Sequence, residues 1–221
     1  MAPPPSILIT AGPTHEPIDA VRFLGNRSSG RLGVALAAAA AARGWPTTLL
    51  LGPVASPPTP DSPFRVERFR TCDDLQALLA RLAPDADVLV MAAAVADYRP
   101  KVDTDAAASK FRRTDQPLTL QLEPTPDLLE GVASRRRPGQ YLVGFALEPR
   151  ADIDPSSRAK LERKKVDLVV GNPLETMDAP TIEPSLFFKG GRVIAPGASM
   201  TKADFAPWLL DHIASQLPTR P

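Results

Sequence analysis

Short apolar blocks recur along this chain, each closed by a stretch rich in proline, glycine or charge. Ile7 to Ala11 (ILITA), Thr47 to Leu51 (TTLLL), Ala86 to Ala92 (ADVLVMA), Tyr141 to Ala146 (YLVGFA) and Asp167 to Gly171 (DLVVG) have almost no polar face. That is the pattern of strands covered on both sides. Arg65 to Phe69 alternates and predicts another strand, and Leu118 to Leu122 (LTLQL) predicts an exposed or edge strand. Helical stretches lie between them. The first is alanine-rich and carries Ser28, Ser29, Gly30 and Gly33 in its first turn; the second is DLQALLARLA, capped by Thr71 or Asp73. A third begins in PTPDLLEGVASRR, and a fourth runs from about Pro155 to Lys165 with Lys160 and Lys164 one turn apart on one face. Strands alternating with helices predict an α/β fold, three layers deep, with a mainly parallel sheet. The end differs in kind: SLFFKGGRVIAP predicts a hairpin on Lys-Gly-Gly-Arg, and ADFAPWLLDHIASQL an amphipathic closing helix. No internal repeat is present.

Composition narrows the class. The 221 residues suffice for a sizeable core, and with no long polar linker the expectation is a single domain over 1–221. Lysine and arginine number 26 against 25 acids, a balance that gives no case for a dedicated nucleic-acid surface. No run approaches the roughly 20 apolar residues that span a bilayer, and Met1 to Ser6 has no signal-peptide pattern. One cysteine, Cys72, excludes an internal disulfide and fits a reducing compartment, so the expected location is the cytoplasm.

The chemistry gathers where strands end. Between Ala11 and the first helix lies a loop with two prolines, two acids, two arginines, an asparagine and a histidine. A helix start on Ser28-Ser29-Gly30 offers unpaired N–H groups and a positive dipole end, an anion site. The dinucleotide fingerprint G-x-G-x-x-G is absent there, and no P-loop occurs in the chain. A second strand-end loop, AAAVADYRPKV, brings Asp97, Tyr98, Arg99 and Lys101. After it, residues 101–117 turn polar and short-sided and read as a mobile flap carrying Lys110. His15 and His212 are too few and too far apart for a metal centre, and Cys72 has no base near it in sequence; all three read as structural.

Three stretches together resemble phosphopantothenate–cysteine ligase, also called phosphopantothenoylcysteine synthetase: TAGPTHEPIDAVRFLGNRSSG at 10 to 30, AAAVADYRP at 92 to 100, and KLERKKVDLVVGN at 160 to 172. SKF at 109 to 111, PDLL at 126 to 129 and GFALE at 144 to 148 add support, in the same order along the chain. The resemblance implies a Rossmann-like sheet, a homodimer and a two-step ligation in coenzyme A synthesis. Phosphopantothenate attacks the α-phosphate of CTP and releases pyrophosphate; cysteine then displaces CMP from the acyl-cytidylate. Magnesium is expected with the nucleotide, its protein ligands unassigned. Because the chain begins at the synthetase strand, the expected enzyme is a monofunctional ligase without flavin, with no membrane or nucleic-acid partner. A step of this kind calls for positioning and charge neutralisation more than for a protein nucleophile.

Carried over residue by residue, the resemblance implies that Asn26 handles the acyl-nucleotide as a catalytic group and that Lys110, also catalytic, meets the nucleotide from the flap. It also implies that Gly12, Ser28, Ser29 and Gly30 shape the anion pocket, that Ala92, Ala93 and Asp97 meet the nucleotide, and that Pro126, Asp127 and Phe145 add contacts. Lys160 and Lys164 then hold the triphosphate, and Arg22 and Arg27 the phosphopantothenate phosphate. Without the resemblance, Asn26 reads equally as a turn residue, Phe145 as core and the lysine pair as a solvated face. The chain departs from the family pattern at Thr125-Pro126-Asp127, often Asn-Pro-Asp, at Gly171-Asn172-Pro173, often Ala-Asn-Asp, and at GFALEPR, commonly GFAAET. The rival reading from another class is an NAD(P)- or nucleotide-binding Rossmann protein without ligase activity; a third is an ATP-using form of the same ligase.

Overall fold

The alternation within each apolar block decides the layers. Ile7, Ile9 and Ala11 pack on one side with Leu49, Leu51, Val88 and Val90, while Leu8, Leu50, Leu89 and Met91 pack on the other. Successive side chains of a strand point to opposite faces, so a strand with no polar face has to be covered twice. The computed structural model describes residues 3–101, 110, 112, 114–177 and 179–218.

In chain order the elements are β1 (Ile7–Ala11), β2 (His15–Pro17), β3 (Phe23–Gly25), α1 (Arg31–Ala42), β4 (Thr47–Leu51), β5 (Arg65–Arg68), α2 (Cys72–Leu82) and β6 (Val88–Met91). Then come β7 (Tyr98–Pro100), β8 (Leu122–Pro124), α3 (Leu128–Ala133), β9 (Tyr141–Glu148), α4 (Ile153–Lys164) and β10 (Leu168–Pro173). The chain closes with β11 (Thr181–Ile182), β12 (Ser185–Phe188), β13 (Val193–Ile194), β14 (Met200–Thr201) and α5 (Lys202–Ala214). The main sheet has eight strands in the order β13-β12-β10-β9-β6-β1-β4-β5. The run from β10 to β5 is parallel, and β12 and β13 add an antiparallel edge. Helices α1 and α5 cover one face; α2, α3 and α4 cover the other. The α/β reading of the sequence therefore holds, including the closing hairpin, whose turn is made by Gly190 and Gly191.

The chain moves outward from β1 to β4 and β5, then crosses back to begin the other half at β6, next to β1. At that reversal the crossovers diverge and leave a crevice beyond the carboxyl ends of β1 and β6.

Several local expectations are corrected. The loop after β1 contains a hairpin: β2 pairs with β3 antiparallel, and the Asp19 carboxylate turns the chain by accepting from the N–H groups of Val21 and Arg22 at 2.9 and 2.7 Å. Helix α1 starts at Arg31; Gly30 is its N-cap in the left-handed region and no side chain caps it, so Ser28 and Ser29 stand before the helix instead of in its first turn. Thr71, not Asp73, caps α2, in a reciprocal capping box with Asp74. Of the strand expected at 118–122 only Leu122 is in one, and β8 runs on to Pro124, because its partner β7 offers just Tyr98 to Pro100 and pairing reaches no further than Pro100 opposite Leu122. Much of the expected flap, residues 102–109, 111 and 113, lies outside the described residues.

Candidate functional site

A cleft of about 640 Å³ opens at that crevice. Its floor and walls come from the exit of β3 and the start of α1 (Gly25 to Gly33), from Ala92 to Val95 and Asp97 after β6, from Phe145 to Glu148 at the end of β9, and from Lys160 on α4. Asn172, Thr176, Met177, Ile182 and Lys202 complete the far side.

The start of α1 carries no acidic residue in its first turn, so the positive end of the dipole and the unsatisfied first amides are not neutralised by the chain itself. Gly30 makes that start possible. Its φ is +69°, and a Cβ there would lie 2.8 Å from Val54 Cγ1. Gly12 lies directly beneath, its nitrogen 3.4 Å from that same position, so it supports the floor without lining the cleft.

The loop after β6 is fixed by hydrogen bonds that the apolar strand pattern does not announce. Ala93 N–H donates to Thr10 Oγ1 at 3.0 Å, Ala94 N–H to Gly12 O at 2.9 Å, and Ala96 N–H to Thr14 Oγ1 at 3.0 Å. Asn26 Nδ2 donates to Val95 O at 2.9 Å, which ties the hairpin exit to this loop. An amide nitrogen has two protons, so one remains for a ligand oxygen.

Lys160 and Lys164 part company. Lys160 lines the cleft and gives its ammonium to Phe145 O; burial holds it below the usual lysine range, against the pull of Asp127 and Glu148. Lys164 is buried and ion-paired with Asp127, with Glu130 Oε2 at 3.0 Å. It does not line the cleft, and neither do Pro126 and Asp127. Asp127 caps α3 by accepting from Glu130 N–H at 3.0 Å. Burial alone would raise its carboxyl, but Lys164 and the Glu130 N–H bring it below the usual carboxylate range.

Lys110 and Arg22 lie elsewhere. Together with Arg112, Val21, Thr114, Gln116, Pro117 and Leu118 they line a second pocket, of about 720 Å³. Arg22 is also held by Asp19, its Nε at 2.9 Å from Oδ2. The hairpin connects the two spaces: its turn at Val21 and Arg22 borders the basic pocket, and its exit at Gly25 to Arg27 borders the cleft. Asn26, Arg27, Ser28, Ser29, Gly30, Ala92, Ala93, Asp97, Phe145 and Lys160 are thus gathered in one place, and Lys110, Arg22, Gly12, Pro126, Asp127 and Lys164 are not.

The model of the family described as the DNA/pantothenate metabolism flavoprotein C-terminal domain matches residues 4–217. The chain belongs to this family. In the same family's likeness, the coenzyme A biosynthesis bifunctional protein CoaBC of Escherichia coli K12 is 36% identical over 195 residues, 86% of this chain and 47% of that protein. A protein named cysteine/cysteine sulfinic acid decarboxylase, from an unknown prokaryotic organism, is 40% identical over 169 residues, 76% of this chain and 46% of that protein. The chain therefore spans about half the length of these relatives. The crystal structure of the C-terminal domain of CoaBC superposes with a TM-score of 0.79 at 30% identity, over 96% of this chain and 94% of that one.

In this member of the family the two histidines and the cysteine are structural, as the sequence indicates. His15 stacks on Phe23 with ring centroids 3.6 Å apart, and burial, then Arg70, lowers its pKa. His212 packs edge-on against Trp208 and Phe188. Cys72 is buried; burial first, then Glu16 and Asp73, push its thiol up to about 11, the opposite of an activated nucleophile. Among the described residues no cluster of three or more His, Cys, Asp or Glu side chains could hold a metal ion, and no helix is long and apolar enough to cross a membrane. Sequence reasoning missed Thr10, Thr14, Lys202 and Arg112. Thr10 had a signal, since a hydroxyl in a strand as apolar as ILITA has to find a partner; Thr14, in the loop beyond it, had none. Lys202 had only the Thr201 cap before it, which fixes where α5 begins but not what it faces.

Proposed function

We propose that this chain joins 4′-phosphopantothenate to L-cysteine at the expense of CTP, in the coenzyme A pathway that the CoaBC relatives' name specifies. The observation that carries the reading is the convergence, in one switch-point cleft, of Asn26, the uncompensated start of α1, the small-residue loop Ala92 to Ala94 and the Lys160 ammonium.

In the first step a substrate carboxylate oxygen bonds to the α-phosphorus and the bond to the pyrophosphate oxygen breaks. The α1 amides and Lys160 face the triphosphate and offset its charge, while Ala92 and Ala93 let the nucleoside approach the backbone and Asp97 accepts from a sugar hydroxyl. Ser28, Ser29, Arg27 and Phe145 complete this wall. In the second step the cysteine amine attacks the acyl carbonyl, the amine proton is lost and CMP leaves with the electron pair of the broken C–O bond. The free proton of the Asn26 amide meets the carbonyl oxygen as charge develops on it. The basic pocket of Arg22, Lys110 and Arg112 suits the phosphate of phosphopantothenate. Lys164, Asp127 and Pro126 serve by bracing α3 against α4.

Magnesium carried on the triphosphate would supply further charge neutralisation. Asp97 and Glu148 are the carboxylates of the cleft and would be the residues to meet such an ion. Nothing in either step changes oxidation state, so the reaction calls for no flavin. Two ribbons, β2–β3 and β7–β8, expose Val21 at 61%, Phe23 at 45%, Tyr98 at 54% and Leu122 at 49%. An apolar surface of this kind beside the site supports a homodimer, and the whole reading implies an enzyme working in the cytoplasm on small molecules, with no membrane or nucleic acid involved.

The step-specific test omits cysteine. Protein, CTP, magnesium and 4′-phosphopantothenate should then release about one pyrophosphate per site and hold an acyl-cytidylate visible by mass spectrometry. Tight NADP binding with no pyrophosphate release would instead favour the non-catalytic Rossmann reading.

A further inference from the structure

We propose that Thr14 and Thr125 are positioning residues that set the place of the Asp97 carboxylate at the mouth of the cleft, and through it the hold on the nucleotide sugar. The inference rests on the ligase reading and extends it to two side chains that do not line the cleft. Asp97 is exposed, and among the described residues no hydrogen bond holds its carboxylate, so its position is inherited from its backbone. That backbone is fixed from two sides. Thr14, fully buried, donates from its N–H to Ala94 O at 3.2 Å and accepts from Ala96 N–H on Oγ1 at 3.0 Å. Thr125 donates from Oγ1 to Ala96 O at 2.6 Å and from its N–H to Asp97 O at 3.0 Å. Both polar groups of the Ala96 backbone are therefore held by threonine hydroxyls, one from the β1 exit and one from the segment leading into α3. A β-branched side chain has few χ1 states, so each hydroxyl is itself well placed.

Thr125 has a second attachment. Two residues on, Asp127 is ion-paired with Lys164 of α4, so the 125–127 segment that holds the Ala96 and Asp97 carbonyls is itself anchored to that helix. A change at Thr125 should thus move the carboxylate without opening the core, because Thr125 is only half-buried.

The test uses Thr125→Val, which keeps the shape and backbone N–H and removes the O–H donor, with Thr125→Ser as the conservative rescue. CTP binding is followed by calorimetry, and KM for CTP and for cysteine by turnover, on the full chain. Thr125→Val should weaken CTP binding about tenfold, the loss of roughly one hydrogen bond's worth of placement, and leave the KM for cysteine within about twofold. Thr125→Ser should restore most of the loss. In an Asp97→Asn background Thr125→Val should add nothing further, since both act through one carboxylate. Wild-type CTP affinity in Thr125→Val overturns the proposal, and so does a full tenfold factor on top of Asp97→Asn. If the wild type itself neither binds CTP nor forms amide, the ligase reading fails and takes this role with it. Normal wild-type turnover with an unaffected Thr125→Val removes the positioning role alone.

Discussion

Lys164, itself buried, closes an ion pair with the exposed Asp127 across the gap between α3 and α4, while Lys160, one turn earlier on the same helix, turns its ammonium onto the Phe145 carbonyl in the cleft. Two lysines that look equivalent in sequence thus have different partners and, on the present reading, different work. Replacing each should separate the effects. Lys164→Met should lower stability by about 1 kcal/mol, because it removes the cation that the Asp127 and Glu130 carboxylates share while both carboxylates keep contact with water. Lys160→Met should leave the unfolding midpoint nearly unchanged and raise the KM for the nucleotide at least tenfold. Chemical denaturation and steady-state kinetics on both variants check this; equal loss of nucleotide affinity in both would contradict it.

The Lys160 ammonium also predicts a pH dependence. Burial lowers its pKa from the ordinary 10.5, so the positive charge is lost as pH rises through that lowered value. Nucleotide KM should therefore begin to rise at a pH below that at which an exposed lysine titrates. Lys160→Arg, whose guanidinium stays charged, should flatten this alkaline limb if it retains affinity. A limb unchanged in Lys160→Arg would assign the titration to another group.

Much of the fold was legible because its strands are apolar on both faces: Ile7 to Ala11 and Val88 to Met91 could only be central strands of a covered sheet. The cleft's location followed from the abrupt polarity after Ala11 and after Ala96. The hairpin β2–β3 was hidden because its strands are three residues long and its turn is made by Asp19, a residue equally at home in a loop. The parting of Lys160 and Lys164 could not be read either, since it depends on α3 bringing Asp127 and Glu130 against only one of them. Lys110 and Arg22 were expected with the nucleotide and the substrate respectively, yet they share a separate basic pocket, a neighbourhood that no spacing along the chain expresses.

Asn26 joins the hairpin exit to Val95 O at 2.9 Å and, on the proposed mechanism, gives its other proton to the acyl oxygen. Asn26→Asp replaces that donor with a carboxylate facing a carbonyl. Pyrophosphate release should continue while amide formation slows by about 100-fold, so that acyl-cytidylate accumulates in quenched-flow samples. An unaltered overall rate would remove Asn26 from the mechanism.

Gly30 sets the start of α1 in a conformation that other residues adopt at a penalty of about 1–2 kcal/mol. Gly30→Ala should therefore destabilise by about 1–3 kcal/mol, strain and the close approach to Val54 together, and should weaken nucleotide binding by shifting the first amides of α1. Thermal melts with and without CTP report both; full ligand-induced stabilisation in the variant would mean that the helix start does not meet the nucleotide.

Ligase activity is measured by incubating the protein with 4′-phosphopantothenate, L-cysteine and magnesium, supplying CTP or ATP separately, and following pyrophosphate, nucleoside monophosphate and amide product. CTP should yield CMP, pyrophosphate and phosphopantothenoylcysteine in equal amounts, with ATP far poorer. Equal use of ATP would keep the ligase and contradict the choice of base. No amide from either nucleotide with folded protein would contradict the ligase itself.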